Sequence, residues 1–393
     1  MRVSLMTREY PPEVYGGAGV HAEYLARELR RLLEVQVLCF GQPRADDGVV
    51  AAQPWEALSG ANSALGVMSV DLAFAAAAAG SDVVHSHTWY ANLGGHLAKL
   101  LHGVPHVVTT HSLEPLRPWK AEQLGGGYAL SSWCERTALE SADAVIAVSE
   151  GMRRDVLASY PSVQPERVTV IHNGIDTDEY APDRGTDVLR RLGVDPQRPF
   201  VLFVGRITRQ KGVSHLLAAM RHVDPGAQLV LCAGAPDTPE IGAETARLVA
   251  ELTAERSGVI WVDTMLPKPE VIQLLTAATV FVCPSVYEPM GIVNLEAMAC
   301  ETAVVATATG GIPEVVADGE TGLLVPIDPV GDGTGEPADP DRFARDVTER
   351  INTVLGDAEL AERLGLAGRR RAVEHFGWTA VAQRTADLYR SLL

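Results

Sequence analysis

The chain has 393 residues, of which 47% are hydrophobic and 21% are charged, and its formal net charge is −17. This composition is typical of a globular protein that is long enough for two domains. An acidic surface repels nucleic-acid phosphates and anionic lipid heads, which argues against nucleic acid and membrane as general partners.

Neither the cysteines nor the apolar runs predict an exported or membrane-spanning chain. The five cysteines stand far apart and form no Cys-x-x-Cys pair, so buried reduced thiols are expected. The longest apolar run, 72–80, is far shorter than the ~20 residues that a membrane span needs. The first residues predict a strand rather than a targeting segment. We therefore expect a cytoplasmic protein.

Short runs of β-branched residues alternate with helical periods along the first half of the chain. Such alternation is typical of parallel strands joined by crossover helices. The predicted strands are 2–7, 35–40, 82–87, 105–111, 144–149 and 167–172. The predicted helices between them are 20–33, 93–102, 128–140 and 152–159.

The alternation stops in a turn-rich stretch, 174–198, and then resumes. The later predicted strands are 200–204, 228–233, 258–262, 280–283, 303–306 and 322–325, and 339–393 is helical almost throughout. The sequence thus predicts an α/β protein with two Rossmann-like, doubly wound parallel-sheet domains that face each other across an interdomain cleft. The predicted limits are 1–176 for the first domain, 177–377 for the second, and 378–393 for a C-terminal helix with the first domain as candidate partner.

A glycine-rich turn follows the first strand and opens the first helix. Gly16, Gly17 and Gly19 let the backbone approach a ligand closely, and the start of a helix favours an anion. The turn is neither the Gly-x-Gly-x-x-Gly dinucleotide fingerprint nor a Walker loop. Because such a turn can be purely structural, it indicates an anion site only together with a second ligand-holding turn in the other half.

Histidines stand at the ends of two strands in the first half. Strand alternation turns His85 and His87 to one side of the sheet. A lone strand histidine is usually a core residue, so His111, which precedes the polar loop 112–120, is the better candidate for an active site. No segment predicts a metal site. The two Asp-x-Asp segments, 176–178 and 339–341, lie in turn-rich stretches, and we expect their acids to be helix caps or turn residues.

The second half opens with a basic turn directly after a strand. Arg206 and Lys211 would bring two cations to the C-terminal edge of the second sheet. A leaving diphosphate gathers negative charge as its bond breaks, and two fixed cations stabilise that charge. A solvated basic turn is the alternative interpretation.

Two carboxylates stand eight residues apart where a buried strand gives way to a helix. Glu288 lies at the turn and Glu296 about one and a half turns inside the helix. The first N–H groups of the helix suit a phosphate, while the carboxylates suit sugar hydroxyls and a ribose. The alternative places Glu288 in a solvated loop and Glu296 on an exposed helix face.

Taken together, these segments resemble the retaining nucleotide-sugar glycosyltransferases of the GT-B type over nearly the whole chain. The resemblance rests on 16–19, His111, 205–211, 288–296 and 309–314. The opening residues 7–21 resemble more narrowly the actinobacterial glycogen synthase branch, whose members act as glycogen synthase or maltose-1-phosphate synthase.

The resemblance implies a role for each predicted site residue of the second half. Arg206 and Lys211 would neutralise the nucleotide diphosphate, Glu288 would bind hydroxyls of the donor glucose, and Glu296 would hold the ribose. Backbone N–H groups at the start of the helix would contact sugar and phosphate, namely those of Gly291 and Ile292.

For the first half, the resemblance implies that Gly16 and Gly17 cover the donor phosphates. The backbone carbonyl of His111 would lie near the anomeric carbon and favour its developing positive charge. His111, Arg206, Lys211 and Glu288 are therefore the predicted catalytic residues. The resemblance also implies that no metal ion or other cofactor is needed.

The predicted reaction moves glucose from ADP-glucose to the 4-hydroxyl of α-glucose 1-phosphate or of an α-1,4-glucan end. A phosphorylated acceptor needs cations in the first domain, and Arg117 and Lys120 are candidates, with His87 nearby; a solvated loop is the alternative. Val14-Tyr15 and Thr88 replace residues that the more distant bacterial glycogen synthases carry. These departures favour glucose 1-phosphate over a long glucan.

Other interpretations follow from the same residues. A glycosyltransferase of this fold with a lipid or other small acceptor is disfavoured by the acidic composition, and a non-catalytic sugar-nucleotide sensor by the intact set of cations and carboxylates. A phosphorylase would need a Schiff-base lysine site, which no segment resembles. The choice of adenine over uracil rests on the resemblance, and a homodimer stays an open alternative.

Overall fold

The computed structural model describes residues 1–14 and 16–393, without the side chains of residues 122 and 123. Tyr15, part of the predicted glycine turn, lies outside the described residues. The described chain forms two compact units. The first contains Met1–Gly174 and Trp378–Leu393, and the second contains Ile175–Gly377.

Within its described residues, the first unit is built on a seven-stranded parallel sheet with the order β3-β2-β1-β4-β5-β6-β7. Its strands are β1 (Arg2–Thr7), β2 (Glu34–Phe40), β3 (Val49–Ala52), β4 (Val83–His87), β5 (His106–Thr110), β6 (Ala144–Ala147) and β7 (Val168–Val170). The helices that connect them are α1 (Gly17–Leu29), α2 (Ser63–Ala77), α3 (Trp89–His102), α4 (Lys120–Leu124), α5 (Gly127–Ser141) and α6 (Glu150–Ser159).

The second unit has a six-stranded parallel sheet with the order β10-β9-β8-β11-β12-β13 in the part of the chain that is described. Its strands are β8 (Phe200–Arg206), β9 (Gln228–Gly234), β10 (Val259–Val262), β11 (Val280–Cys283), β12 (Val304–Thr307) and β13 (Leu323–Val325). Its helices are α7 (Asp187–Leu192), α8 (Val213–Met220), α9 (Pro239–Glu255), α10 (Lys268–Ala277), α11 (Ile292–Ala299), α12 (Ile312–Val315), α13 (Pro340–Leu355) and α14 (Ala358–His375).

Both strand orders reverse direction beside the first strand of the sheet, as in the doubly wound Rossmann arrangement. Most strands are buried on both faces because helices cover both sides of each sheet. The predicted fold class, α/β with two Rossmann-like parallel sheets, is thereby confirmed. The carboxyl ends of β1, β4 and β5 share one edge of the first sheet, and those of β8, β9 and β11 share one edge of the second.

The last helix, α15 (Trp378–Ser391), belongs to the first unit. The Trp378 ring stacks on the Tyr24 ring, with centroids 5.6 Å apart and planes inclined by 6°. The Tyr389 hydroxyl lies 2.6 Å from Nδ1 of His85, and both side chains are fully buried. The helix therefore completes the core on one face of the first sheet.

The structure also contains elements that the sequence analysis did not predict, among them β3, α2, α4 and α7, the last within the predicted turn-rich stretch. The sequence of α2 is apolar around the whole circumference of the helix, so its hydrophobic residues show no helical period. Strand β3 has only four residues. No helix among the described residues combines the length and the apolar character that a bilayer crossing requires.

Candidate active site

Glu288 lies in the turn between β11 and α11 and is 7% exposed. Its Oε2 accepts hydrogen bonds from Nζ of Lys211 at 2.6 Å and from Oγ of Ser285 at 3.1 Å. The alternative of a solvated loop carboxylate is therefore wrong for Glu288. The carboxylate is instead fixed at the carboxyl edge of the second sheet.

A pair of glycines holds the backbone at Glu288. Gly310 has a φ of +55°, and a Cβ there would lie 1.9 Å from the carbonyl oxygen of Glu288. The N–H of Gly311 donates to that same oxygen at 3.0 Å. No residue with a side chain fits at Gly310 without moving the turn. The predicted segment 309–314 thus acts on Glu288 through the backbone.

Lys211 reaches Glu288 from the 3₁₀ turn Arg209–Lys211 after β8, which the hydroxyl of Thr208 caps. Burial lowers the pKa of Lys211, but the charge of Glu288, its hydrogen bond to the ammonium and the nearby Cys283 together raise it by more, so the pKa lies above its usual value. Gly212 follows with a φ of +64°, and a Cβ there would lie 2.0 Å from the carbonyl oxygen of Pro284. The ammonium is therefore charged and held against Glu288.

The second predicted cation, Arg206, forms an ion pair with a residue that the sequence analysis missed. Nη2 of Arg206 lies 3.2 Å from Oδ1 of Asp237, whose side chain is 6% exposed. Asp237 follows β9, the strand that pairs with β8, so both residues lie at the same edge of the sheet. Its position just beyond a neighbouring strand end is the signal that could have identified it.

Glu296 lies inside α11 and is partly buried, so the alternative of an exposed helix face is wrong. The Tyr180 hydroxyl donates to its Oε1 at 3.0 Å. Burial raises the pKa of Glu296, while the hydrogen bond from Tyr180 and the charge of Lys268 oppose that shift. The carboxylate keeps a second oxygen for a ligand. The Tyr180 contact, like Asp237, was not predicted.

The start of α11 combines a special backbone with a buried polar side chain. Gly291 precedes the helix with a φ of +86°, and a Cβ there would lie 2.5 Å from Nδ2 of Asn294. Asn294 is 0% exposed, and neither of its amide atoms has a hydrogen-bond partner among the described residues. The N–H groups of Ile292 and Val293, the first of the helix, have no intrahelical acceptor, whereas that of Asn294 donates to the carbonyl of Gly291 at 3.0 Å. This corner of the second unit can accept polar ligand atoms.

In the first unit, three histidines come together at the edge of the sheet. Parallel pairing places His87 of β4 beside Thr109 of β5, and His111 follows on the same side two residues later. Nδ1 of His87 lies 3.0 Å from Nε2 of His111. The third member, His21 on α1, is missed by sequence reasoning, since nothing in its local sequence points to β4 or β5.

Burial keeps this histidine group neutral. It lowers the pKa of His21 to about 4, and it lowers the pKa values of His85, His87 and His111 well below the usual range. Neighbouring imidazoles add to the shift of the last three. His87 itself is 0% exposed, and His85 is held between Tyr389 and Thr109. His111, half-buried, is the member nearest to solvent.

The first unit also contains a basic cluster, formed by Arg8, Arg117 and Lys120. The Arg8 guanidinium lies 4.1 Å from the centre of the Tyr90 ring, and Nζ of Lys120 lies 5.3 Å from it. Nη1 of Arg117 donates to Oγ of Ser112 at 3.1 Å. Lys120 is 5% exposed, so the alternative of a solvated loop is wrong for it. Burial and the Arg117 charge lower the pKa of Lys120.

A buried pair of carboxyl groups lies beneath the Arg117 loop. Oε1 of Glu135 accepts the backbone N–H of Glu114 at 2.8 Å and the hydroxyl of Tyr160. Oε2 of Glu114 accepts the Ser131 hydroxyl at 2.5 Å. Burial, together with the Glu114 charge, raises the pKa of Glu135 to about 8. The buried environment therefore favours the protonated form of Glu135.

The glycine turn already contacts an acidic side chain. The N–H of Gly16, directly before α1, donates to Oε2 of Glu9 at 2.7 Å. A Cβ at Gly19 would lie 2.6 Å from Cβ of Glu9, which explains the glycine at that position. The turn does bind an anionic group, and in this state the group belongs to the protein. Gly17 is exposed at the start of the helix.

The chain matches two family models that together cover most of its length. Residues 15–179 match Glycosyltransferase Family 4, and residues 187–371 match Glycosyl transferases group 1. It is 58% identical to alpha-maltose-1-phosphate synthase of Mycolicibacterium smegmatis, with 100% of both chains covered. It is 55% identical to the Mycobacterium tuberculosis enzyme of that name, again over 100% of both chains.

A solved structure supports the same assignment. Sucrose-phosphate synthase from Thermosynechococcus elongatus is 27% identical, with a TM-score of 0.79 over 100% of this chain and 98% of that chain. The chain therefore belongs to the GT-B glycosyltransferase family that includes the alpha-maltose-1-phosphate synthases, and it is a nucleotide-sugar-dependent hexosyltransferase.

Proposed function

We propose that the protein is a retaining α-glucosyltransferase that moves glucose from ADP-glucose to the 4-hydroxyl of α-glucose 1-phosphate. The bond between the anomeric carbon and the diphosphate breaks, the acceptor oxygen bonds to that carbon, and the acceptor proton passes to the leaving ADP. The product is α-maltose 1-phosphate, the compound named in the relatives that are 55–58% identical over their whole length. Adenine as the donor base rests on the resemblance to glycogen synthases.

The observation that carries this proposal is the basic cluster of the first unit. Among the described side chains, no carboxylate oxygen lies within 4.0 Å of a nitrogen of Arg117 or Lys120. Nε of Arg117 is buried without a hydrogen-bond partner in that same set. The charge of Glu114 offsets the burial of Lys120 only in part, because the pKa of Lys120 stays lowered. Burying a cation without an ion-pair partner is costly, and an anionic ligand offsets that cost. In a chain of net charge −17, we assign this cluster to the acceptor phosphate.

The groups of the second unit suit the donor. Lys211 and Arg206 are fixed cations that can stabilise the charge gathering on the leaving diphosphate. Glu288, held by Lys211 and Ser285, can accept hydrogen bonds from glucose hydroxyls. Glu296 offers the carboxylate oxygen that Tyr180 does not occupy to a ribose.

The proposed mechanism uses positioning and electrostatics rather than a protein nucleophile. The backbone carbonyl of His111 would face the anomeric carbon and favour its positive charge in the transition state. The acceptor hydroxyl would attack on the face from which ADP leaves, so the α configuration is kept. Orientation of this kind supplies a large part of a rate enhancement on its own. In this proposal no metal ion takes part.

The test is to incubate the protein with ADP-glucose and either α-glucose 1-phosphate or glycogen, and to follow ADP release and product mass. ADP release with a disaccharide phosphate as product supports the proposal. Turnover with glycogen alone would overturn the acceptor assignment, and turnover only with UDP-glucose would overturn the donor assignment. If no pair of donor and acceptor gives nucleotide release, the non-catalytic sensor becomes the better interpretation.

A further inference from the structure

We propose that His21, His87 and His111 form a binding site for a late divalent transition-metal ion, with Zn²⁺ as the ion that fits best. This ion is not part of the proposed transfer reaction. The site instead lets the metal inhibit the enzyme, and the binding itself does not depend on the proposed function.

The spacing of the three rings suits tetrahedral coordination. One ring nitrogen from each histidine lies within 4.8 Å of the other two. The ring centroids of the three pairs lie 5.2, 4.7 and 5.3 Å apart. Three imidazoles bound to one tetrahedral zinc at Zn–N distances of about 2 Å place their ring centres about 5 Å apart. Small side-chain rotations therefore suffice to aim the nitrogens at a common point.

The hydrogen bonds of His21 present a lone pair to that point. Its Nδ1 lies 2.7 Å from Oδ1 of Asn173, and a carboxamide oxygen only accepts hydrogen bonds. Nδ1 therefore carries the proton, and Nε2 carries the lone pair. Among the described residues, Nε2 of His21 has no hydrogen-bond partner although the side chain is 2% exposed. A metal-binding histidine is commonly oriented in this way by an outer acceptor.

His87 contacts the third histidine directly, because its Nδ1 lies 3.0 Å from Nε2 of His111. It is 0% exposed, and its Nε2 is also buried without a partner in the described part of the chain. His85 does not compete for the ion, because Tyr389 and Thr109 engage its two ring nitrogens. Buried polar atoms without partners are rare and costly, and a cation bound between the three rings would satisfy Nε2 of His21.

The ligand set selects the class of ion. Three neutral imidazoles without a carboxylate suit zinc, copper or nickel rather than magnesium or calcium, which prefer oxygen. Three protein ligands leave the fourth position of a tetrahedral ion for water. His111 is half-buried and gives the site its approach from solvent. In the proposed function, the His111 carbonyl faces the anomeric carbon, so an ion on its ring would slow transfer.

Metal binding is tested on the full chain after dialysis against a chelator. Titration calorimetry should show one Zn²⁺ per chain, and Co²⁺ should give the intense visible absorption of a tetrahedral complex. The substitutions His21→Gln, His87→Gln and His111→Gln should each weaken Zn²⁺ binding by at least about tenfold. His102→Gln, a change at a half-buried histidine on α3 outside the cluster, should leave binding unchanged.

Absence of Zn²⁺ binding to the parent protein overturns the proposal, as does binding that none of the three substitutions weakens. Circular dichroism checks that each variant is folded. If His87→Gln does not fold, His111→Gln decides, because that side chain is half-buried and lies beyond the end of β5. Binding that does not slow ADP release would support the site and count against the role of His111 in the proposed transfer.

Discussion

The substitution Lys211→Met breaks the ion pair between Lys211 and Glu288. We expect it to lower both the stability of the protein and its kcat. The pair spans 2.6 Å, with side-chain exposures of 25% for Lys211 and 9% for Glu288. Removing one partner of a buried pair costs about 3–5 kcal/mol, and the partial exposure of Lys211 puts the expected loss near about 3 kcal/mol. Loss of one fixed group that stabilises transition-state charge lowers kcat by about 10²–10³-fold.

The two effects are measured separately. Urea unfolding gives the change in stability, and a coupled assay of ADP release gives kcat with saturating substrates at a temperature where the variant is folded. The variant Lys211→Met/Glu288→Gln should regain part of the lost stability, because no unpaired carboxylate then stays buried. It should not regain kcat, because the cation is still absent. A folded Lys211→Met protein whose kcat stays within about threefold of the parent value would refute the assignment of Lys211 to the diphosphate.

A surface cation supplies the matched control. Arg221 pairs with Glu251 at 3.0 Å and with Glu255 at 3.3 Å, and its side chain is 37% exposed. Exposed pairs of this kind contribute about 0–1 kcal/mol, so Arg221→Met should cost no more than that and leave kcat unchanged. A comparable loss of kcat in this variant would show that the assay responds to general destabilisation.

Three further predictions concern the glycine clamp, the buried carboxyl pair and the acceptor cluster. Gly310→Ala should lower the free energy of unfolding by more than about 2 kcal/mol in urea, because a Cβ would lie 1.9 Å from the carbonyl oxygen of Glu288 at a positive φ. Gly331→Ala, with open space around it, is the control that should change stability little. The pKa of Glu135 is raised from 4.5 to about 8 in the folded protein. Between these two pH values the folded protein therefore holds a proton that the unfolded chain has released. Stability should therefore fall as pH rises from about 4.5 to about 8, and Glu135→Gln should flatten this dependence in unfolding measured across the range. In steady-state assays, Arg117→Ala should raise KM for α-glucose 1-phosphate much more than KM for ADP-glucose, and equal increases would remove the acceptor assignment.

The fold was predictable because each local pattern agrees with the global arrangement. Strands such as β9 and β11 are apolar on both faces, which only a sheet covered on both sides explains. Alternation with helices then fixes parallel pairing and right-handed crossovers. Segment α2 escaped prediction because a helix with apolar residues on all sides has no periodic signal.

The candidate site was predictable where function coincides with strand ends. That rule brings Lys211 to Glu288, although 77 residues separate them in the chain. The rule does not predict Asp237 or Tyr180. An acid in a proline-rich turn and a tyrosine in a linker have the same local sequence pattern whether or not their side chains reach the site. His21 was not predicted for a similar reason, since its partners lie in β4 and just after β5, and no local sequence pattern indicates that contact.

In the proposed function, the groups assigned to the donor differ in whether they can be shared with a second anion. Arg206 has five N–H donors, so it can hold Asp237 and still donate to a phosphate, and the three donors of Lys211 allow the same beside Glu288. The Gly16 N–H is a single donor and is already bonded to Glu9. A donor phosphate can therefore join Arg206 and Lys211 without displacing their partners. Within the first unit, an anionic ligand can bind the Gly16 N–H only after the Glu9 carboxylate has moved away. Within the second unit, Arg206 and Lys211 are therefore ready to bind the donor diphosphate without a rearrangement of Asp237 or Glu288.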